Sequence, residues 1–251
     1  MITLNNISKS FQNNKVIEGI NLDIHPGEIH LMLGRNGEGK STILELMSCL
    51  YEPDSGSVCI DGKQINSKDY EYRSKIGYVF AAPLYIEALN AIEYLHFVGD
   101  LYGIKGKEQW DKISYYLNFF SIPGGKTIAK LSKGMKKQLS FIAAILHDPT
   151  YLIMDEPFDG FDMVSRRLVQ DLLLELKDKG TGIFIVSHHY EELFYYSSKI
   201  SLLRQGKLLF SLSKDELLEY VNGFSEAQNA TNLFVEECLK GKYDHLLTSS
   251  I

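Results

Sequence analysis

The sequence predicts an α/β protein with a largely parallel sheet, on three observations. Apolar strand-like runs at residues 29–33, 75–80, 150–154 and 182–186 are separated by stretches of helical spacing. The first run opens into the glycine-rich turn Gly34-Arg35-Asn36-Gly37-Glu38-Gly39-Lys40-Ser41-Thr42, which leads into the helix-patterned Ile43-Leu44-Glu45-Leu46-Met47. Two later runs end in ionisable residues: Asp155 and Glu156 after one, His188 after the other. Continuous apolar strands joined by helices belong to parallel sheets covered on both faces, and chemistry in such sheets collects at the carboxyl ends of the strands.

The order strand, glycine-rich turn, lysine, hydroxyl, helix is what a phosphate-binding loop requires. Glycines let successive backbone N–H groups converge on one point, and the following helix aims its positive dipole end there. Lys40 then reaches β- and γ-phosphates, while the Ser41 hydroxyl is suited to Mg²⁺. Gly34 to Thr42 is therefore a candidate nucleotide site.

Composition bounds the rest. A chain of 251 residues with 45% hydrophobic and 23% charged residues fits one large α/β domain or a core with an inserted subdomain. A net charge of −6 argues against a nucleic-acid surface. Cys49, Cys59 and Cys238 show no paired spacing, so neither a disulfide framework nor a zinc site is expected, and a reducing cytosolic compartment fits. The start lacks a basic region followed by a long apolar run, so no secretory signal is expected. No apolar stretch approaches the roughly 20 residues that cross a bilayer. Any membrane role has to come through a partner.

Before the phosphate loop, residues 2–4 and 20–24 alternate as strands do, and Pro26-Gly27 is a turn signal. Between those runs the chain is polar except for Phe11, which fits either a minor core position or a flat face for an adenine ring. After the loop helix come a turn at residues 52–56, a short hairpin at 58–65 and the strand at 75–80, which runs into Ala81-Ala82-Pro83. Residues 86–149 turn helical and aromatic: Ala88, Ile92, Leu95, Phe97 and Leu101 share one helical spacing, and Trp110, Ile113, Tyr116, Leu117 and Phe120 another. No linker sets this block apart, so it reads as an insertion of helices into the α/β core, and an outward-facing part of its aromatics would suit a partner protein. A helical stretch at 168–177 separates the last two strands, and the tail from about residue 211 mixes Leu217, Leu218, Tyr220, Phe234 and Leu239 with polar residues, as packed helices do.

At the strand ends, Asp155 is placed to hold Mg²⁺, which prefers hard oxygen ligands. Glu156, one residue on, is placed to polarise an attacking water. His188 fits two roles equally, a structural histidine or a contact to the γ-phosphate or the water. His189 beside it points in another direction.

Taken together, these residues resemble an ATP-binding cassette (ABC) ATPase over at least residues 2–210. Gly34 to Thr42 resembles the Walker A loop, and Leu152-Ile153-Met154-Asp155-Glu156 resembles Walker B with its catalytic glutamate. Leu131-Ser132-Lys133-Gly134-Met135 resembles the signature motif, Phe158-Asp159-Gly160-Phe161-Asp162 the D-loop, and Ser187-His188 the switch histidine. Phe11 falls where the family places an adenine-stacking aromatic. The resemblance implies a P-loop NTPase core with a largely parallel sheet, an N-terminal antiparallel β subdomain and the inserted helical subdomain. It divides the chain into a single ATPase domain at 1–215, with the helical insertion at 86–149, and a helical extension at 216–251.

The resemblance also implies partners. Two cassettes, as a homodimer or as a heterodimer with another ABC subunit, close head to tail on two ATP molecules. Ser132 and Gly134 of one then contact the nucleotide of the other. Transmembrane permease subunits receive the motion, and the ATPase sits on the cytoplasmic inner face of the membrane, with no nucleic acid involved. Four residues depart from the family pattern: Ala81 stands where a metal-contacting glutamine is usual, Lys133 and Met135 replace glycine and glutamine in the signature, and Asp159 replaces a small hydroxyl residue. Leu-Ser-Lys-Gly-Met resembles a branch of small prokaryotic exporters. Ala81 keeps a rival reading open, a regulatory cassette that binds ATP and moves a partner with little hydrolysis.

Overall fold

Strand β3 (Ile29–Leu33) is buried along its whole length and lies inside a six-stranded sheet of order β10-β9-β3-β8-β7-β6. β3 pairs with β8 (Gly182–Val186) and β9 (Lys199–Arg204), and β7 (Tyr151–Asp155) and β6 (Ile76–Val79) extend the sheet beyond β8, all parallel; β10 (Lys207–Ser213) closes the other edge antiparallel to β9. The computed structural model describes residues 1–83, 85–188, 193–222, 237 and 240. His189, Cys238, Phe234, Leu239 and the side chain of Tyr220 lie outside the described residues.

Alternation along the central strands sends side chains into two cores. Leu31, Leu33, Leu152, Met154, Ile183 and Ile185 face a core shared with the helices, and Met32, Ile153, Phe184 and Val186 face one shared with the N-terminal strands and the first helix. That is why the apolar runs carry no polar face. The one polar residue inside β3, His30, is fully buried, with its Nε2 2.7 Å from the Ser201 hydroxyl. Burial first, then the nearby Lys199 charge, push its pKa down to about 3, so it is neutral in the fold.

The second sheet is antiparallel, of order β2-β1-β4-β5, from β1 (Ile2–Phe11), β2 (Asn14–Ile24), β4 (Ser55–Ile60) and β5 (Lys63–Ile65). β1 and β2 run further toward each other than alternation predicts. Only Gln12 and Asn13 turn, both at positive φ (48° and 65°), because cross-strand pairs such as Ser10 with Lys15 continue where burial stops. The β4–β5 hairpin turns on Asp61-Gly62, both at positive φ, the pattern of a tight hairpin turn.

The described residues also form helices α1 (Lys40–Met47), α2 (Tyr70–Arg73), α3 (Ala91–Leu101), α4 (Gly106–Phe119), α5 (Lys133–Ile145), α6 (Met163–Asp178) and α7 (Lys214–Asn222), with a short 3-10 turn at Ile128–Lys130. A capping box between Asn90 and Glu93 starts α3. Helix α5 touches β6 almost backbone to backbone, since a Cβ on Gly77 would sit 2.1 Å from the Ala144 carbonyl oxygen. Residues 211–213 finish β10 instead of opening the helical tail. The helix starts at Lys214, and its Leu217 is buried in the helical-side core.

Candidate active site

The β3–α1 turn bends through Gly37 (φ 84°) and Gly39 (φ 98°), a left-handed backbone that side chains resist. A Cβ on Gly39 would lie 2.6 Å from the Ile17 side chain and 3.0 Å from the Val16 carbonyl, so the turn sits directly on β2. Lys40 is the first residue of α1, and its buried ammonium folds back to donate to the Gly34 carbonyl at 2.8 Å and the Arg35 carbonyl at 2.9 Å. Burial pushes its pKa down, while Glu156, Asp155 and Glu38 pull it up. The ammonium thus plugs the ring of the loop.

Next to it, the Ser41 hydroxyl donates to Asp155 Oδ2 at 2.8 Å. Burial raises the Asp155 pKa, opposed by the Ser41 hydrogen bond and by the Lys40 and Lys137 charges. A hydroxyl and a carboxylate side by side are hard oxygen donors, so the pair fits Mg²⁺. A cavity of about 370 Å³ opens over them, walled by Val16, Asn36, Gly37, Gly39, Lys40, Ser41, Thr42, Ala81, Asp155 and Glu156. Ala81, two residues past β6, brings a methyl to this wall where an amide or carboxylate side chain would bring an oxygen.

Glu156 follows β7 in a left-handed backbone, φ 44°. Its carboxylate accepts from the Ser187 hydroxyl at 2.9 Å and from the His188 backbone N–H at 3.0 Å, and lies 2.7 Å from His188 Nδ1. Ser187 and His188 leave β8 just as Glu156 leaves β7, and the parallel register of Asp155 with Val186 brings the three together. Asp159 joins them: one ligand atom each from Glu156, Asp159 and His188 lies within 4.8 Å of the others.

The remaining residues singled out from the sequence occupy other places. Glu38 points its carboxylate at Arg204 Nη1 (2.8 Å) and the Gln205 N–H, so within the loop it is a brace to the β9–β10 turn. Both partners are nearly buried, 12% and 10% exposed. Gly34 approaches so closely that a Cβ would meet the Leu203 carbonyl oxygen at 2.8 Å. Phe11 ends β1 beyond the cavity wall, half in solvent, its ring edge-on to Tyr51 with centroids 5.4 Å apart. Ser132 is exposed at the start of α5, where its hydroxyl accepts from the Met135 N–H. Gly134 lies beside the 158–162 turn, where a Cβ would stand 3.6 Å from the Gly160 carbonyl oxygen. Neither Ser132 nor Gly134 borders the cavity. Sequence reasoning missed Val16 as a wall residue, and Arg204 and Lys137 as partners of the loop and of Glu156; all three act from positions that only the tertiary fold brings near.

A glycine cradle with a plugged lysine, a serine–aspartate pair and a braced glutamate are the parts that a phosphate-loop nucleotide hydrolase site needs. Comparison with known proteins narrows the class. The sequence profile of the family described as "ABC transporter" matches residues 17–159. An uncharacterized ABC transporter ATP-binding protein of Methanocaldococcus jannaschii is 33% identical over 208 residues, covering 82% of this chain and 75% of that protein. A solved ATP-binding subunit of an ABC transporter superposes with a TM-score of 0.86 at 26% identity, over 94% of this chain and 98% of that one. A dimeric bacterial ABC transporter cassette superposes with a TM-score of 0.78 at 25% identity, over 85% and 99%. The chain belongs to the ABC transporter family, as one of its ATP-binding cassette ATPases.

Proposed function

We propose that the chain binds Mg²⁺ and ATP at the β3–α1 loop, hydrolyses the ATP as half of a nucleotide-sandwich dimer, and drives export through separate membrane-spanning subunits. The observation that carries this reading is the single cavity wall on which the Ser41–Asp155 pair stands next to Glu156. Phosphate oxygens take the place of the Gly34 and Arg35 carbonyls on the Lys40 ammonium, a stronger partnership for a cation than neutral carbonyls. Backbone N–H groups of the loop and the α1 terminus hold the remaining phosphate charge. Ser41 and Asp155 would hold Mg²⁺, which when bound offsets the charge developing on the phosphoryl oxygens. Glu156 accepts the proton of the attacking water, and Ser187 and His188 fix the direction of its carboxylate.

Exposed Ser132 at the N-terminus of α5 supports a shared site, because a helix terminus suits the γ-phosphate of an ATP held by a second cassette. The similar dimeric cassette supports the same arrangement. For the permease, a largely apolar groove of about 470 Å³ runs between β6 and the α3–α5 block, lined by Leu50, Tyr72, Tyr78, Phe80, Tyr94 and Leu101 among others. It begins next to Ala81 and fits an apolar segment of a membrane subunit, which would keep the ATPase on the cytoplasmic face of the membrane. Among the described residues, no helix is long and apolar enough to cross a membrane. The export direction rests on the resemblance of Leu131-Ser132-Lys133-Gly134-Met135 to exporter cassettes.

The test is Glu156→Gln. Steady-state hydrolysis should fall by about 10²–10⁴-fold, the range of a general base, while ATP binding persists and ATP drives the variant into a dimer on sizing columns. Wild-type turnover would remove Glu156 from the chemistry. Persistence of a monomer under saturating ATP would remove a site shared between two copies of this chain.

A further inference from the structure

Helix α5 carries Ser132 at its tip, and one turn further along it carries a second functional contact. Lys137 is 5% exposed, and its Nζ donates to the backbone carbonyl of Glu156 at 2.6 Å. The same carbonyl accepts from the Asp159 N–H at 3.3 Å, while the Glu156 N–H donates to the Val186 carbonyl at 2.9 Å. Glu156 therefore has both backbone groups tied down in a left-handed conformation that a residue with a Cβ adopts only where its surroundings impose it. The three ties come from three elements: α5, the turn after β7, and β8.

The ammonium also sits in a defined field. Burial lowers its pKa, Asp159, Glu156 and Asp155 favour its charged form, and Lys133 opposes them. Lys137 does not border the phosphate cavity. It has the geometry to set the base without touching the nucleotide.

We propose that Lys137 is a positioning residue for hydrolysis, which holds the Glu156 turn in the backbone conformation that aims its carboxylate at the attacking water. This rests on the reading of Glu156 as the general base. The aim of the base then depends on where α5 stands, so the helix that offers Ser132 to a second cassette also orients the chain's own glutamate. A chain with Lys137 replaced binds ATP and hydrolyses it slowly.

The experiment compares Lys137→Met, Lys137→Arg and Glu156→Gln in the full chain, measuring kcat for ATP hydrolysis and the Kd for ATP separately. Lys137→Met should lose at least about tenfold in kcat, the order expected when a catalytic group is misplaced, with Kd within about twofold of wild type. Lys137→Arg, which keeps a charged donor, should recover kcat to within about threefold. If the methionine variant does not fold, Lys137→Leu, which likewise carries no donor, makes the same comparison. In a Glu156→Gln background, Lys137→Met should add no further loss. Wild-type kcat in the methionine or leucine variant, a loss of ATP affinity matching the loss of kcat, or an arginine variant no better than methionine would each overturn the proposal. Full turnover by Glu156→Gln would instead overturn the base assignment, which separates the two failures.

Discussion

The β3–α1 loop and the α5 tip both stand at helix N-termini, and they differ in how much of their surroundings the chain supplies. Around the cradle the key polar groups have partners, Lys40 on the carbonyls of its own loop and the others on distant elements: Ser41 on Asp155, Glu156 on Ser187 and His188, Glu38 on Arg204. At the α5 tip, Ser132 and Lys133 are exposed, and the Ser132 hydroxyl bonds to its own helix. One place is organised within the single chain; the other lies open on its surface. Under the proposed function, such a chain would bind nucleotide before it pairs and complete its chemistry only afterwards.

The largest effect should come from breaking the brace of the cradle. Arg204→Met leaves the Glu38 carboxylate in a nearly buried place without its ion partner, and stability should fall by about 3 kcal/mol, read as a lower midpoint in urea. Adding Glu38→Gln should recover most of that loss, and no recovery would mean that Arg204 acts through other contacts. Lys40→Ala removes a charge-assisted phosphate contact. ATP affinity should drop by roughly 30-fold, about 2 kcal/mol, and an unchanged Kd by calorimetry would contradict the cradle. Ser132→Ala sharpens the contrast from the other side. It should cost about 1 kcal/mol as a lost helix cap and weaken ATP-driven dimer formation, with monomer affinity for ATP unchanged. The smallest effect is expected from Phe11→Ala, about 1 kcal/mol in ATP affinity with little change for free triphosphate; equal changes for both ligands would exclude ring stacking.

How legible this was in the sequence depended on range. The phosphate loop could be read because each of its residue types acts locally, glycines as left-handed backbone, lysine as charge and the hydroxyl as a metal ligand. The parallel strands could be read from burial on both faces. Strand β10 escaped because it is half-buried throughout and shows no alternation, and the ends of β1 and β2 escaped because pairing, not burial, extends them. Among the site residues, Asp155, Glu156 and His188 were visible as strand-end groups. The side-chain direction of Glu38 was not visible, because its partner Arg204 belongs to a strand 166 residues later. Lys137 was hidden for a similar reason, since a lysine on an otherwise ordinary helix gives no sign of a carbonyl 19 positions on.

The Glu38–Arg204 pair has a consequence for what counts as the smallest working unit of this site. An anion-binding loop that contains a carboxylate carries, in its own sequence, a charge of the same sign as its ligand. Arg204 cancels that charge from the far end of the chain. Strand, loop and helix excised together or grafted onto another scaffold would bring the carboxylate without its counterion and would repel the phosphate they are shaped to hold. The transferable module is therefore discontinuous: residues 29–47 together with the β9–β10 hairpin.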